Sequence, residues 1–336
     1  MYTSSIPIPL ISISCTTYNH ELYIRTCLDG FLKQKTIFPI EVIINDDCST
    51  DGTKEIIEEY TLKYPNIFFP NFQIENQYSK GVRAMMARFN FSRCRGKYIA
   101  LCEGDDFWTD PLKLQKQVDF LENNPDFSIC FHNMKIANES NPSTLEFANT
   151  KHQKSISSIM DLAQKGNFMY TASVIFRKPK DKFPDWFNHL QILDYPLHLF
   201  NAQFGKIKYM DQVMGVYRVH ESGTWGVISK EKQYDRWIPM LAKLEDKFSD
   251  EVNRALRIQK MYSILDVYMI SYKKKDSKKA NEAMALMMEV NPFFMAGKII
   301  EIQNRLEKTL NSDAYKIGKM LIKIVTAPLQ IFKIKK

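Results

Sequence analysis

The sequence predicts an α/β protein: a mostly parallel sheet flanked by helices, followed by an all-helical region. Three observations carry this. Short apolar runs at residues 10–15, 40–44 and 98–102 are separated by stretches whose apolar residues recur at helical spacing. Strands alternating with helices at this interval build βαβ units and a parallel sheet. Each run also stops at a polar cluster: Thr16-Thr17-Tyr18-Asn19-His20, then Asn45-Asp46-Asp47-Cys48-Ser49-Thr50-Asp51-Gly52, then Glu103-Gly104-Asp105-Asp106. In such sheets ligands bind at the carboxyl ends of strands, so the three clusters should converge on one edge.

The elements follow in order. Residues 22–34 form a helix, with Leu22, Tyr23, Leu28, Phe31 and Leu32 at helical spacing. Pro39 resets the chain before the second strand. Residues 53–63 are amphipathic, with Ile56, Ile57 and Tyr60 on one face. A weak third strand spans 66–69, residues 81–92 read as a helix, and Gly96-Lys97 feeds the strand at 98–102. Residues 112–122 are helical, with Asp110 as N-cap and Pro111 in the first turn. Strands at 127–133 and 170–176 bracket a polar loop at 138–155 and a short helix at 157–164. Residues 194–204 are a helix opened by Asp194, and 206–210 and 213–219 are two short strands. After the glycine-bearing loop at 220–226 the pattern is helical, which sets a domain boundary: 1–228 and 229–336.

The cluster at Glu103, Asp105 and Asp106 holds three carboxylates within four residues at the mouth of an apolar strand. Acids this close repel one another, and burying them unpaired is costly. A hard divalent cation, Mg²⁺ or Mn²⁺, carrying phosphate oxygens is the natural compensation. A solvated turn that caps the next helix would explain Asp110, but not Asp105 and Asp106.

The net charge of +8 is uneven. Residues 1–227 carry 24 Lys and Arg against 25 Asp and Glu, and residues 228–336 carry 22 against 13. The basic excess of the last third points to an anionic surface. Residues 314–336 hold six Lys and no acid, with Ile317, Met320, Leu321, Ile324 and Val325 on one helical face and Lys316, Lys319 and Lys323 on the other. That composition suits a helix lying in an anionic membrane interface, and equally a packed helix with a solvated basic face. Nucleic acid is disfavoured, because the Lys clusters lack interleaved aromatics and no reader motif occurs. All six cysteines lie in the first 130 residues without metal-site spacing, and read as reduced thiols of a cytosolic domain. The N-terminus lacks the charged region of a signal peptide, and no run of 18 uncharged apolar residues occurs.

Together the segments Ser12-Ile13-Ser14-Cys15-Thr16-Thr17-Tyr18-Asn19, Ile44-Asn45-Asp46-Asp47-Cys48-Ser49-Thr50-Asp51-Gly52-Thr53 and Gly96-Lys97-Tyr98-Ile99-Ala100 leading to Gly104-Asp105-Asp106 resemble the inverting family-2 glycosyltransferases. The resemblance covers residues 8–226, and the run 103–122 is similar to the branch found in bacterial polysaccharide gene sets. It implies the Rossmann-like GT-A fold, a nucleotide-diphosphosugar donor (a UDP-sugar above all) and Mn²⁺ or Mg²⁺. Carried over, Thr16 and Asp47 hold the base, with Tyr18 beside them. Asp accepting from an imide N–H gives a reason for uridine, since cytosine offers an acceptor there. Asp106 and Asp105 form the DXD-type metal pair, with Asp105 nearer the ribose. The acceptor implied is a glycan or an undecaprenyl-diphosphate-linked glycan, at the inner face of the cytoplasmic membrane.

Inverting transfer also needs a base for the acceptor hydroxyl. The family places an acid at the start of a helix facing the donor, and Asp194 in Ile192-Leu193-Asp194-Tyr195-Pro196 stands there. The more common Glu-Asp pair is replaced by Leu193-Asp194, and an N-cap role would also account for the residue. Partial burial should raise its pKa. His220 is a candidate to complete the metal site, and Arg218 to face the diphosphate. Trp108 and Trp225 could stack on sugars or anchor the core and a lid. His20, His132, His189 and His198 show no constellation and read as structural. Two other enzyme classes fit poorly: residues 10–20 contain no glycine, Lys or Arg, as a nucleotidyltransferase or a GxGxxG oxidoreductase would need. A non-catalytic carbohydrate- or lipid-binding scaffold on the same fold remains the alternative from another class.

Overall fold

In the computed structural model residues 8–144 and 146–290 are described, with positions 297, 308, 311, 312, 315 and 316. Strand β1 (Ile11–Thr17) is the axis of the sheet. Ile11, Ile13 and Cys15 are buried on one face, and Ser12 and Ser14 are buried on the other. Such two-sided burial belongs to a central parallel strand. Its buried hydroxyls are partnered: Ser12 Oγ donates to Glu41 Oε1 (2.6 Å), and Ser14 Oγ accepts from Asn90 Nδ2 (3.1 Å). Helix α1 (Glu21–Leu32) crosses to β2 (Ile40–Asp46), and α2 (Thr53–Lys63) to β3 (Phe68–Phe72). Strand β4 (Tyr98–Glu103) returns beside β1, giving the parallel order β3-β2-β1-β4.

The rest of the sheet is mixed. A two-residue strand, β5 (Phe107–Trp108), precedes α3 (Lys113–Asn123) and β6 (Phe127–Asn138). Short strands β7 (Glu146–Phe147) and β8 (Ile156–Ser157) lead to α4 (Ile159–Lys165) and β9 (Ile175–Arg177). Helix α5 (Asp194–Ala202) is followed by β10 (Lys206–Val219). The order continues β4-β9-β6-β10-β5, with β6 and β10 parallel and the short β9 antiparallel between β4 and β6. Helices α1 to α3 cover one face through Ile24, Phe31, Ile57, Leu114 and Val118. Leu162, Tyr195 and Leu199 pack the other.

Four sequence expectations are corrected. Residues 81–92 do not form a regular helix; a five-residue π turn, Met86–Asn90, follows Ala84 in left-handed backbone (φ 57°). The turn drives Asn90 into the sheet, where Nδ2 donates to Ser14 Oγ and to Cys15 O (2.9 Å). The strand expected at 170–176 shrinks to β9 after a 3₁₀ turn, Thr171–Ser173. The reason is that side chains take the carbonyls there: Trp108 Nε1 donates to Ala172 O (2.7 Å) and Gln117 Nε2 to Ser173 O (3.0 Å). The two strands at 206–219 are one bent strand with register shifts around Val213. Asp110 does not cap α3 directly, since the helix starts at Lys113; Asp110 Oδ1 accepts from Leu112 N (2.8 Å) and so shapes the turn before it.

The boundary at 228/229 also moves. The chain divides into compact units Met1–Lys260 and Met261–Lys336. Helix α6 (Lys230–Lys243) and the start of α7 (Asp250–Lys273) belong with the sheet, because Met240, Leu241, Leu244, Val252 and Leu256 are buried in its core. In the second unit α7 ends and α8 (Ser277–Val290) follows, with Ala280, Ala283 and Met287 buried. The amphipathic face expected at 317–325 lies outside the described residues.

Glu41, 1% exposed, ties three segments together. It accepts from Ser12 Oγ and from Arg95 N and Nε (both 2.7 Å). Arg95→Met leaves this buried carboxylate without its counter-ion, and should lower unfolding stability by about 2 kcal/mol. Urea unfolding of the two proteins checks this.

Candidate active site

Because β9 is the inverted member between β4 and β6, β1, β2, β4, β6 and β10 all end at one edge. Thr16 stands opposite Asn45 and Glu103, and Thr17 opposite Asp46. The first two loops are zipped by side chain to backbone bonds. Thr50 N donates to Asn19 Oδ1 (2.8 Å), His20 N to Thr53 Oγ1 (2.8 Å) and Glu21 N to Asp51 Oδ2 (3.0 Å). Gly52 N also donates to Glu21 Oε2 at 3.1 Å across this seam. Much of the second motif is therefore spent on holding the loops. Asp47 is buried, and its carboxylate accepts from Gln77 N (2.8 Å) and Tyr78 N (3.0 Å). It pins the loop after β3 and retains further lone pairs. Thr16 is half-buried and Tyr18 is 42% exposed at the same edge.

Glu103, Asp105 and Asp106 bring carboxylate oxygens within 4.8 Å of one another. Asp106 is fully buried; Oδ1 accepts from Arg218 N (2.9 Å), and Oδ2 has no partner. Burial first, then the charges of Asp105 and Glu103, push Asp106 well above the usual carboxylate range. Burial and the neighbouring acids Asp105 and Asp194 push Glu103 up to about 8. Burial acts on Asp105 in the same direction, but the His220 hydrogen bond and the nearby His20 and His220 outweigh it and hold Asp105 low. His220 Nε2 lies 3.1 Å and His20 Nε2 3.7 Å from Asp105 Oδ2. An orphaned, buried carboxylate oxygen among crowded acids fits a hard divalent cation. Asp106, Glu103 and Asp105 are the residues that could hold one.

His220 is therefore brought to the acids, but through Asp105. Its Nδ1 meets Ser222 Oγ (2.8 Å), and Tyr23 packs on its ring at 4.5 Å. Arg218 does not present a free fork. It sits over the rings of Phe107 (4.3 Å) and Tyr23 (5.2 Å), and Nη1 donates to Asp105 O. Its backbone and side chain clamp the acidic turn. Trp108 is core, 2% exposed, with the Lys113 ammonium 3.9 Å over its ring, while Trp225 is half-buried near Trp237. His20 and Tyr23 were not legible as site residues: His20 ends a loop, and Tyr23 has the spacing of a helix-face residue. The one available signal for His20 was its place within a strand-end cluster.

Asp194 is the first residue of α5, not its cap, which is Leu193. It is half-buried, and burial raises its pKa although backbone N–H groups of the first turn and Asn167 favour the anion. Asn167 Nδ2 donates to Asp194 Oδ2 at 2.7 Å. The Asp194 charge contributes, after burial and Asp105, to raising the pKa of Glu103.

The model of the family described as "Glycosyl transferase family 2" matches residues 12–183, just over half of the chain. The chain belongs to glycosyl transferase family 2. An uncharacterized protein of Mycobacterium tuberculosis is 42% identical over 215 residues, 64% of this chain and 60% of the relative, so the match spans under two thirds of that relative's length. TuaG, a Bacillus subtilis protein whose name places it in teichuronic acid biosynthesis, is 35% identical over 114 residues, 34% of this chain and 42% of its own. Among solved structures, Staphylococcus aureus TarS in complex with UDP-GlcNAc matches at TM-score 0.60 and 17% identity, over 83% of this chain and 81% of TarS. The Pyrobaculum calidifontis mannosyltransferase PcManGT with GDP-Man and Mn²⁺ matches at TM-score 0.54 and 15% identity, over 98% and 89%. At these identities the two structures establish a shared GT-A fold.

The acidic cluster makes stability depend on pH. Glu103 rises in the fold from 4.5 to about 8. A group raised in this way contributes stability that is full below its unfolded value and lost as pH climbs through the folded one. Metal-free protein should thus lose thermal stability between about pH 6.5 and 8; below about pH 6.5 the buried, neutral His132 and His198 oppose the trend, because they take up protons only on unfolding. Mn²⁺ should restore it in the wild type, and Asp106→Asn should abolish that restoration. Melting curves with Mn²⁺ or EDTA check both.

Proposed function

We propose that the family-2 domain is a metal-dependent inverting glycosyltransferase that moves a sugar from a UDP-sugar to a glycan or lipid-linked acceptor of a surface polysaccharide. The observation that carries this is the unpartnered, fully buried Asp106 Oδ2 within the carboxylate cluster at the sheet edge. Thr16, Tyr18 and Asp47 lie on the same edge, where a uracil base would be held. Mn²⁺ or Mg²⁺ bound by Asp106 with Glu103 or Asp105 would neutralise diphosphate charge. His220 and His20 orient Asp105, and Arg218 fixes the turn that presents both aspartates.

Asp194 takes the acceptor proton. As the acceptor oxygen bonds to the anomeric carbon, the bond from that carbon to the diphosphate oxygen breaks, and UDP leaves with the electron pair. Proton transfer ends on the Asp194 carboxylate, whose burial brings its pKa toward the operating range. Binding of UDP-GlcNAc by TarS and of GDP-Man by PcManGT supports a nucleotide-sugar donor for this fold. The name of TuaG supports a polysaccharide product.

A screen of UDP-sugars with Mn²⁺, read as UDP release, should yield at least one active donor. Asp194→Asn should cut turnover by at least about a thousandfold with metal affinity retained. Asp106→Asn should lose both. Full activity in both variants would sink the reading in favour of a binding scaffold. We also assign the basic segment 314–336, six Lys and no acid, to contact with anionic lipid. No helix among the described residues is long and apolar enough to cross a membrane. The protein should sediment with anionic liposomes at low salt and be released as salt rises; salt-insensitive binding contradicts an electrostatic anchor.

A further inference from the structure

A carboxylate that must take a proton from a hydroxyl works best with one oxygen fixed and the other presented. Asn167 supplies the fixing contact. It follows Gly166, whose φ of +83° a side chain would strain, in the connection after α4. Its Nδ2 donates to Asp194 Oδ2 at 2.7 Å. The amide cannot be turned over. Its Oδ1 accepts from Met169 N at 3.2 Å, and a flipped amide would set NH₂ against that backbone donor.

The same oxygen lies 3.2 Å from His198 Nδ1. Because an amide oxygen only accepts, His198 carries its proton on Nδ1. Burial holds this imidazole down to about 3, so it is neutral, and its Nε2 is left with no partner. His198 lies one turn beyond Asp194, and residues four apart share a face of a helix. Helix α5 therefore supplies both ends of a relay in which His198 N–H points at Asn167 Oδ1 and Asn167 N–H points at Asp194 Oδ2. His198 read as structural from the sequence, and Asn167 carried no motif at all.

We propose that Asn167 is a positioning residue for Asp194: it fixes the carboxylate through Oδ2, so that Oδ1 meets the acceptor hydroxyl, and His198 keeps the amide turned that way. The inference rests on the reading of Asp194 as the base. Around Asp194 stand the acid Glu103 from β4, the backbone N–H groups opening α5, and Asn167.

The test uses the full chain with an active UDP-sugar and acceptor and compares Asn167→Ala, the isosteric Asn167→Asp and Asp194→Asn. Asn167→Ala should lower kcat about 30-fold with donor KM within about twofold, the effect of losing one hydrogen bond to a charged group. Asn167→Asp keeps the shape but sets a second carboxylate against Asp194, so the acid limb of the kcat profile should move up by about one pH unit or more. If Asp194→Asn abolishes turnover while both Asn167 variants keep the wild-type kcat and pH profile, the positioning role is overturned and the base stands. If Asn167→Asp only lowers the melting temperature and leaves the acid limb in place, Asn167 is structural and the inference fails. Turnover surviving in Asp194→Asn overturns the base itself and the inference with it.

Discussion

Charge crowding at the end of β4 governs the site. Glu103, Asp105 and Asp106 leave the sheet together, the first two half-buried and Asp106 fully buried, and their oxygens come within 4.8 Å of one another. Unbalanced, such a group would resist folding. The chain balances it locally and incompletely. Two histidines lean on Asp105, a backbone N–H and a clamped arginine hold the turn, and two of the acids take up protons more readily than usual. Asp106 Oδ2 is left over. A buried carboxylate oxygen without a partner among crowded acids has the chemistry to accept a hard cation.

The surrounding architecture serves to hold that turn still. Gly104 is confined by Thr17 Oγ1, which a Cβ would approach to 2.7 Å, so β1 and the acidic turn are packed against each other. Arg218 reaches across from the last strand and is sandwiched between Phe107 and Tyr23, which converts a mobile cation into a fixed strut. Tyr23 in turn backs His220. The strand pairing of β10 with β5 sets this distance, as Gly215 and Val216 face Trp108 and Phe107. Most of the conspicuous polar residues in the loops are thus parts of one support, and few remain free to touch a ligand.

Sequence by itself determined the alternating strands and helices, the three polar strand ends and their convergence, because period and turn chemistry are local properties that burial in a sheet reinforces. It determined the acidic cluster as well, since crowded carboxylates need an explanation wherever they fall. Tertiary structure decided which side chains are free. Asp47, Ser49, Asp51 and Arg218 all carry motif chemistry, and all are engaged by backbone groups tens of residues away. Contacts across 30 to 113 residues leave no trace in spacing. The same reason hid His20, Asn167 and His198, whose neighbours are supplied by other elements. It also moved the domain boundary past α6, because burial of Leu241 and Leu256 against the sheet core is a fact of packing and not of period.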